Sequence, residues 1–348
     1  MLRYLTAGES HGKQLVAILE GCPANLALSE ADLKRDLERR QQGYGRGERM
    51  KLEKDHAEIL SGTRNGKTIG SPIGLAIPNR STELFEKVIT ALRPGHADLA
   101  GALKYNQRDA RNILERASAR ETAAKVAVGA VAKKLLSEFK INVFSKVVSI
   151  GAATEEKAWK KLLDQAKEAG DTLGGVIEVT VTGAPAGLGS HVHWDRRLDG
   201  NLARALMAIP AVKAVEIGLG FAVAELPGSK VHDEISYNKE KGFFHKTNNA
   251  GGLEGGMTNG EPVVLRAAVK PIATLKKPLR SVDLVTKKAG EALVERSDIC
   301  AVEPAAVIGE AVVAFELANA FLEKFGGDSV EDVVVAHKAY LSRLSNNK

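Results

Sequence analysis

The chain repeats itself, and a repeat constrains the fold more than any single motif does. A strand-like run leads into Gly21-Cys22-Pro23-Ala24-Asn25-Leu26 and then a leucine-rich helical stretch; another leads into Gly183-Ala184-Pro185-Ala186-Gly187-Leu188 and a second such stretch. Asn65-Gly66 precedes a strand ending at Pro78, and Asn259-Gly260 precedes one ending before Pro271. Glu115-Arg116 lies thirteen residues before Gly129-Ala130-Val131, and Glu295-Arg296 thirteen before Gly309-Glu310-Ala311-Val312. Each match is weak alone, but their shared order favours duplication of a strand–helix–hairpin–helix unit. The expectation is a single domain over 1–348, with pseudo-repeats at about 1–140 and 141–330 sharing one core and a C-terminal helix at about 329–345.

Hydrophobic periodicity fills in the units. Strands are expected over 2–7, 14–20, 73–77, 142–150, 176–182 and 263–269, and helices over 119–139, 154–169, 195–209, 281–295, 305–325 and 329–344. Ser29, followed by Glu30 and Asp32, opens a further helix that runs out near Gln42-Gly43. Asn65-Gly66 fits a type I′ hairpin turn. That explains Gly62-Thr63-Arg64-Asn65-Gly66-Lys67-Thr68 better than a phosphate loop, which needs four residues between its glycines and has three here. Stretches 43–57 and 79–110 lack regular pattern, and loops that long in a folded chain are usually functional or disordered.

Composition narrows the partners. A net charge of +6 suits an anionic small molecule as well as nucleic acid or a membrane surface. The 5% aromatic content argues against a base-stacking platform. Cys22 and Cys300 form no Cys-x-x-Cys pair, so neither zinc nor a disulfide framework is indicated, and a reducing cytosol fits. No apolar run is expected to reach 18 residues and no signal pattern opens the chain, so the expected location is cytoplasmic.

Several segments can carry chemistry. Glu9-Ser10-His11-Gly12, behind Gly8, either presents an imidazole on a narrow strand-end tip or is a turn with an incidental histidine. Arg93-Pro94-Gly95-His96-Ala97-Asp98 sets a histidine between a cation and an acid, or is an ordinary Pro-Gly turn. Glu115-Arg116-Ala117-Ser118-Ala119-Arg120-Glu121-Thr122 offers a helix start, a hydroxyl and two guanidiniums to an anion, or is a salt-bridged helix face. Gly251-Gly252-Leu253-Glu254-Gly255-Gly256 is no dinucleotide fingerprint, yet it lets backbone approach a ring or phosphate. Arg39, Arg40, Arg46 and Arg49 crowd Gly43-Tyr44-Gly45 as a solvated loop, an RNA contact or a lid over a multiply charged substrate. His191 and His193 would share a strand face, and no further ligand spacing supports a metal there. Arg296-Ser297-Asp298 is either an ion-paired helix end or a base held ionised by its arginine.

Taken in order, Gly8 to Gly12, Arg39-Arg40 with Gly43-Tyr44-Gly45-Arg46, Arg93 to Asp98, Glu115 to Thr122, Ala250 to Gly256, Lys270-Pro271 and Arg296-Ser297-Asp298 closely resemble the chorismate synthase family. The resemblance covers about residues 1–325. It implies an α+β fold, a β-α-β sandwich with a pseudo-duplicated core, usually in a homotetramer. It implies a lyase that eliminates phosphate in 1,4 fashion from 5-enolpyruvylshikimate 3-phosphate, giving chorismate for aromatic amino-acid biosynthesis, with reduced FMN required although the reaction is redox-neutral.

By the same resemblance, His11 protonates the departing phosphate, His96 protonates the reduced flavin, and Asp298 works with flavin N5 to remove the C6 proton. Arg116, Ala117, Ser118, Pro210, Ala211, Gly255, Lys270, Pro271, Ile272, Ala273, Thr274 and Arg296 match positions that cradle FMN, with Arg116 and Arg296 expected to grip one flavin from two halves. Arg40 and Arg46 match lid arginines assigned to NADP or substrate, and Ser10, Arg93 and Arg120 are placed with them. Three positions depart from the family pattern: Ala117 replaces the first of two serines, Ser297 stands where many members have His, and Ile299 where many have Pro.

The substrate's phosphate and two carboxylates demand a cationic site, and neighbouring anions favour a protonated imidazole that can act as a general acid. NADPH as the flavin's reductant is left open; without a Rossmann fingerprint, an external flavin reductase is the expected source. No nucleic-acid, membrane or metal partner is expected. Two other readings stand beside this one: a basic RNA-binding protein using the loop around Tyr44, and a net oxidoreductase holding a flavin.

Overall fold

The computed structural model describes residues 1–47, 53–240, 242–295 and 298–346. The first half runs β1 (Arg3–Ala7), β2 (Gln14–Glu20), α1 (Glu30–Gln41), β3 (Glu58–Ile59), β4 (Ile73–Pro78), α2 (Asp98–Lys104), α3 (Arg111–Ala117) and α4 (Thr122–Ser137). The second runs β5 (Asn142–Ile150), α5 (Glu156–Ala169), β6 (Gly175–Thr182), α6 (Leu198–Met207), β7 (Val212–Ile217), β8 (Val263–Val269) and α7 (Val302–Phe325), and α8 (Val330–Asn346) follows. Strands pair antiparallel in the orders β1-β2-β4-β3 and β5-β6-β8-β7. Helices α4 and α7 pack on each other between the sheets, with α1 beside α4 and α6 beside α7. This is an α+β, sheet–helix–sheet sandwich.

The two sheets are tied off by the same hydrogen bonds. Thr68 Oγ1 donates to Pro23 O at 2.6 Å and accepts from Leu26 N at 2.9 Å; Thr258 Oγ1 donates to Pro185 O at 2.6 Å and accepts from Leu188 N at 2.8 Å. Both threonines lie at the end of two-stranded hairpins, Thr63–Arg64 with Lys67–Thr68 and Leu253–Glu254 with Met257–Thr258. Their tips are Asn65-Gly66 and Gly255-Gly256, all four with positive φ (51°, 74°, 57° and 82°). Gly255-Gly256 is therefore the counterpart of Asn65-Gly66, and the expected match with Asn259-Gly260 is out of register by four residues. These paired bonds support the reading of a duplicated unit.

The central helices read as their burial requires. α7 is apolar on every side and buried along most of its length, the pattern of a helix with core all round it. By length and composition it could cross a membrane, so the expected absence of such a run fails, but here it lies inside the sandwich. Gly129 of α4 has no side chain because Ala311 of α7 fills the space a Cβ would need.

A buried charge network sits in this core, with Asp36 and Glu310 sharing Arg39 and Lys133. Glu310, 1% exposed, accepts from Arg39 Nη1 (2.7 Å) and Nη2 (2.6 Å), Lys133 Nζ (2.7 Å) and Ser145 Oγ (2.6 Å). Burial alone would raise its pKa, but Arg39 and Lys133 win, and it lies below the ordinary glutamate value.

Two expectations are corrected. Residues 281–295 form no helix but a hairpin, Arg280–Val282 with Ala289–Glu291. Asp283 decides this: its Oδ1 accepts from the N–H groups of Val285 (2.9 Å) and Thr286 (2.7 Å), an Asx turn that competes with helix. His191 and His193 lie in an exposed loop, not on a strand.

Thr68→Val and Thr258→Val should each cost about 1–3 kcal/mol, by stranding one donor and one acceptor in the same setting. Urea unfolding giving clearly unequal losses would separate the two hairpins. Glu310 stabilises the fold above the ordinary glutamate pKa, about 4.3, and loses that contribution as pH falls through its lower folded value. Glu310→Gln should therefore lower stability at pH 7 and flatten the acid limb below about pH 4 in denaturation series.

Candidate active site

A cavity of about 1150 Å³ opens between the halves, walled by the β1–β2 connection and α3 on one side and by the ends of β7 and β8 and the approach to α7 on the other. His11 is 6% exposed at this wall. Glu115 of α3 holds it twice, accepting from His11 N at 2.6 Å through Oε2 and meeting Nδ1 at 2.8 Å through Oε1. Arg111, one helical turn earlier, donates to the same Oε1 at 3.1 Å and to Glu295 at 2.7 Å. Burial opposes ionisation of Glu115, but bonds from His11 and Arg111 bring its pKa below the usual range. Arg116 donates to Gly8 O (3.0 Å) and Thr6 O (2.9 Å), which fixes the strand end carrying His11.

His96 repeats the pattern. Its Nδ1 lies 2.5 Å from Oδ1 of Asp98, a fully buried carboxylate, and Arg93 donates to Asp98 through Nε at 2.9 Å and Nη2 at 3.0 Å. Burial pushes Asp98 up, but His96 and Arg93 outweigh it and hold the acid far below its ordinary range. The turn is bonded to the 270–274 stretch. Lys270 Nζ donates to Gly95 O at 2.9 Å and Arg93 Nη1 to Thr274 Oγ1 at 3.1 Å. Burial, then Lys213, lowers the Lys270 pKa. Ala211, beside Pro210, is held at φ 73°, a strained value for a residue with a Cβ, in the cavity wall.

The cations are arranged around Asp55. Arg40 Nη1 donates to its Oδ2 at 3.1 Å and Arg120 Nη1 to its Oδ1, while Arg40 also reaches Thr122 Oγ1 (3.0 Å) and Ala119 O (2.9 Å). Burial, with Arg120 and Arg46 nearby, brings the Arg40 pKa down to about 10. Arg40 is thus a fixed residue of α1 and no part of a lid. Arg46 does sit on the following loop. Its Nη1 donates to Asp298 Oδ2 at 2.5 Å, and Gly47 N donates to Oδ1 at 2.6 Å. Ile299 N donates to Gly45 O at 2.9 Å, closing this loop onto the start of α7. Among the described residues, the buried guanidinium nitrogens Arg46 Nε and Arg120 Nη2 meet no hydrogen-bond acceptor, although Glu53 lies 3.7 Å from the latter.

The cavity thus brings together Ser10, His11, Arg40, Arg46, Arg93, His96, Ala117, Ser118, Arg120, Pro210, Ala211, Lys270, Pro271, Ile272, Ala273, Thr274 and Asp298. It does not bring in Arg116, whose guanidinium is spent on Thr6 and Gly8, nor Gly255, at the tip of a distant hairpin. The expected paired grip by Arg116 and Arg296 therefore loses one side; Arg296, like Ser297 and Arg49, lies outside the described residues. Asp298 follows a hairpin, not a helix, and its arginine partner among the described residues is Arg46. Glu115, Arg111 and Asp55 were not singled out as site residues. The Arg111–Glu115 spacing of four was the available signal; nothing local marks Asp55.

A family model described as chorismate synthase matches residues 2–322. Chorismate synthase of Thermoanaerobacter pseudethanolicus is 57% identical over 99% of this chain and 100% of its own length. That of Geobacter metallireducens is 55% identical over 99% of each. A crystal structure of chorismate synthase superposes with a TM-score of 0.83 at 47% identity, covering 99% of this chain and 98% of the other.

Proposed function

The chain belongs to the chorismate synthase family, and from that membership we propose that the cavity between its halves houses the family's reaction. This chain is a lyase carrying the family's activity, the 1,4-elimination of phosphate from 5-enolpyruvylshikimate 3-phosphate to give chorismate in the shikimate pathway. The observation that carries the siting is two histidines in one cavity, each backed by a buried carboxylate and set among Arg40, Arg46, Arg93, Arg111 and Arg120.

The cavity fits two anionic ligands. Its volume slightly exceeds that of ordinary single-ligand pockets, roughly 300–1,000 Å³. Arg120 Nη2 and Arg46 Nε are buried donors without acceptors among the described residues, which phosphate or carboxylate oxygens would satisfy. Ile209, Pro210, Val269 and Ile272 supply an apolar wall for a ring. In this reading Ala117, Ser118, Pro210, Ala211 and Lys270 to Thr274 hold reduced FMN, which when bound supplies electron density as phosphate leaves an unactivated carbon. Ser118 Oγ donates to Ser10 Oγ at 3.2 Å, which joins that group to the His11 loop.

His11 holds a proton for the departing phosphate oxygen, and His96 holds one beside the stretch assigned to the cofactor. Asp298 takes the substrate proton; its two oxygens accept from Arg46 and Gly47, so substrate must draw Arg46 away. Arg40 and Asp55 fix Arg120 so that one edge of its guanidinium faces the ligand. The loop at 43–47 shields the site from water. NADPH as a reductant of the flavin, an external flavin reductase, a homotetramer and a cytoplasmic setting complete the reading, supported by family membership.

Anaerobic incubation with chemically reduced FMN and the phosphorylated enolpyruvyl substrate should release phosphate and chorismate over many turnovers per flavin; one product per flavin consumed would make it a net oxidoreductase. His11→Ala and His96→Ala should each lower turnover roughly 100- to 10,000-fold, and full activity would reassign that histidine. Arg120→Met should weaken binding of the phosphorylated substrate roughly 10- to 100-fold by calorimetry, the weight of one charged hydrogen bond. Unchanged affinity would put the anion elsewhere.

A further inference from the structure

The two histidines come from unrelated segments, yet the structure surrounds both in the same way. His11 Nδ1 lies 2.8 Å from Glu115, which is 2% exposed and bonded to Arg111 at 3.1 Å. His96 Nδ1 lies 2.5 Å from Asp98, which is 0% exposed and bonded to Arg93 at 2.9 and 3.0 Å. A buried carboxylate held ionised by a guanidinium can only accept, so the imidazole nitrogen facing it must carry the hydrogen. Arg93 Nη2 also approaches His96 Nδ1, at 3.1 Å, but a carboxylate oxygen only 2.5 Å from that nitrogen needs a hydrogen between them, so Nδ1 is the donor.

We infer that Glu115 and Asp98 are paired positioning residues that lock His11 and His96 in the Nδ1–H form, so that each exchanges its working proton through Nε2. The inference rests on the reading of both histidines as proton donors. The carboxylates touch no ligand themselves. Their effect is to fix which nitrogen, and which ring orientation, meets the reacting groups. Arg111 and Arg93 act one step further back, keeping the carboxylates ionised. Arg111 also spans to Glu295, three residues before Asp298, and so holds the His11 support and the chain leading to the proposed base in one clamp.

The test begins with the unmodified enzyme labelled with [15N]histidine, at a pH where exposed imidazoles are neutral, with His11→Gln and His96→Gln used only to assign signals. Both histidines should show a protonated Nδ1, whereas neutral histidine in water prefers the Nε2–H form. An Nε2–H tautomer at either site overturns the inference for that histidine whatever any variant does. It leaves the reading of the histidines as proton donors intact, because that reading falls only if His11→Ala or His96→Ala stays active. Glu115→Gln and Asp98→Asn should then shift the matching histidine toward Nε2–H and lower kcat roughly 10- to 100-fold with KM nearly unchanged. Wild-type kcat, or a loss expressed in KM alone, overturns the positioning role.

Discussion

Glu310 is the charge around which the rest is arranged. A carboxylate inside the helical layer is strongly unfavourable unless its oxygens are fully bonded. Here Arg39 comes from α1, Lys133 from α4 and Ser145 from β5, while α7 supplies the acid. Four elements from both halves must therefore be in place together, which pure apolar packing would not demand. The consequence reaches the cavity through one peptide bond. With Arg39 fixed on Glu310, Arg40 projects from another side of α1, where Asp55, Thr122 and Ala119 receive it.

The site extends the same logic. Several of the cavity's arginines and both of its histidines are held by a carboxylate: Arg40 and Arg120 by Asp55, Arg46 by Asp298, His96 by Asp98, His11 by Glu115. Such pairing lets a cluster of like charges be built before any ligand arrives. The loop at 43–47 is tied down by Ile299 N–H, a donor that a proline at this position would lack.

Much of this was legible. Strands with clean alternation were read to the residue, as at 14–20, 142–150 and 263–269. The pair Asn65-Gly66 declared its turn, because only a few residues accept positive φ at both positions. The stretch at 281–295 misled because its apolar spacing looks helical, while Asp283 captures the local backbone N–H groups instead. Single motifs pointed to His11 and His96, and the one around His96 already held its acid and cation, but nothing local tied His11 to Glu115. Asp55 and Glu310 pair with residues distant in sequence, and such contacts leave no local pattern. The register of the repeat was also misread at Asn259-Gly260, since glycine-rich tips resemble one another until the bonds of Thr68 and Thr258 are compared.

The repeated threonine clasps have an evolutionary consequence. If each half descends from one unit of about 140 residues, two free copies would have met across a two-fold axis near the α4–α7 contact, with a symmetric cleft between them. In such an ancestor every side chain offered to a ligand was offered twice, and an asymmetric substrate had no preferred orientation. Fusing the copies would release the two sides to diverge. Glu115 holds a histidine, whereas its counterpart Glu295 is bound to the arginine that serves Glu115. Handedness toward a chiral substrate would then date from the fusion rather than from the fold.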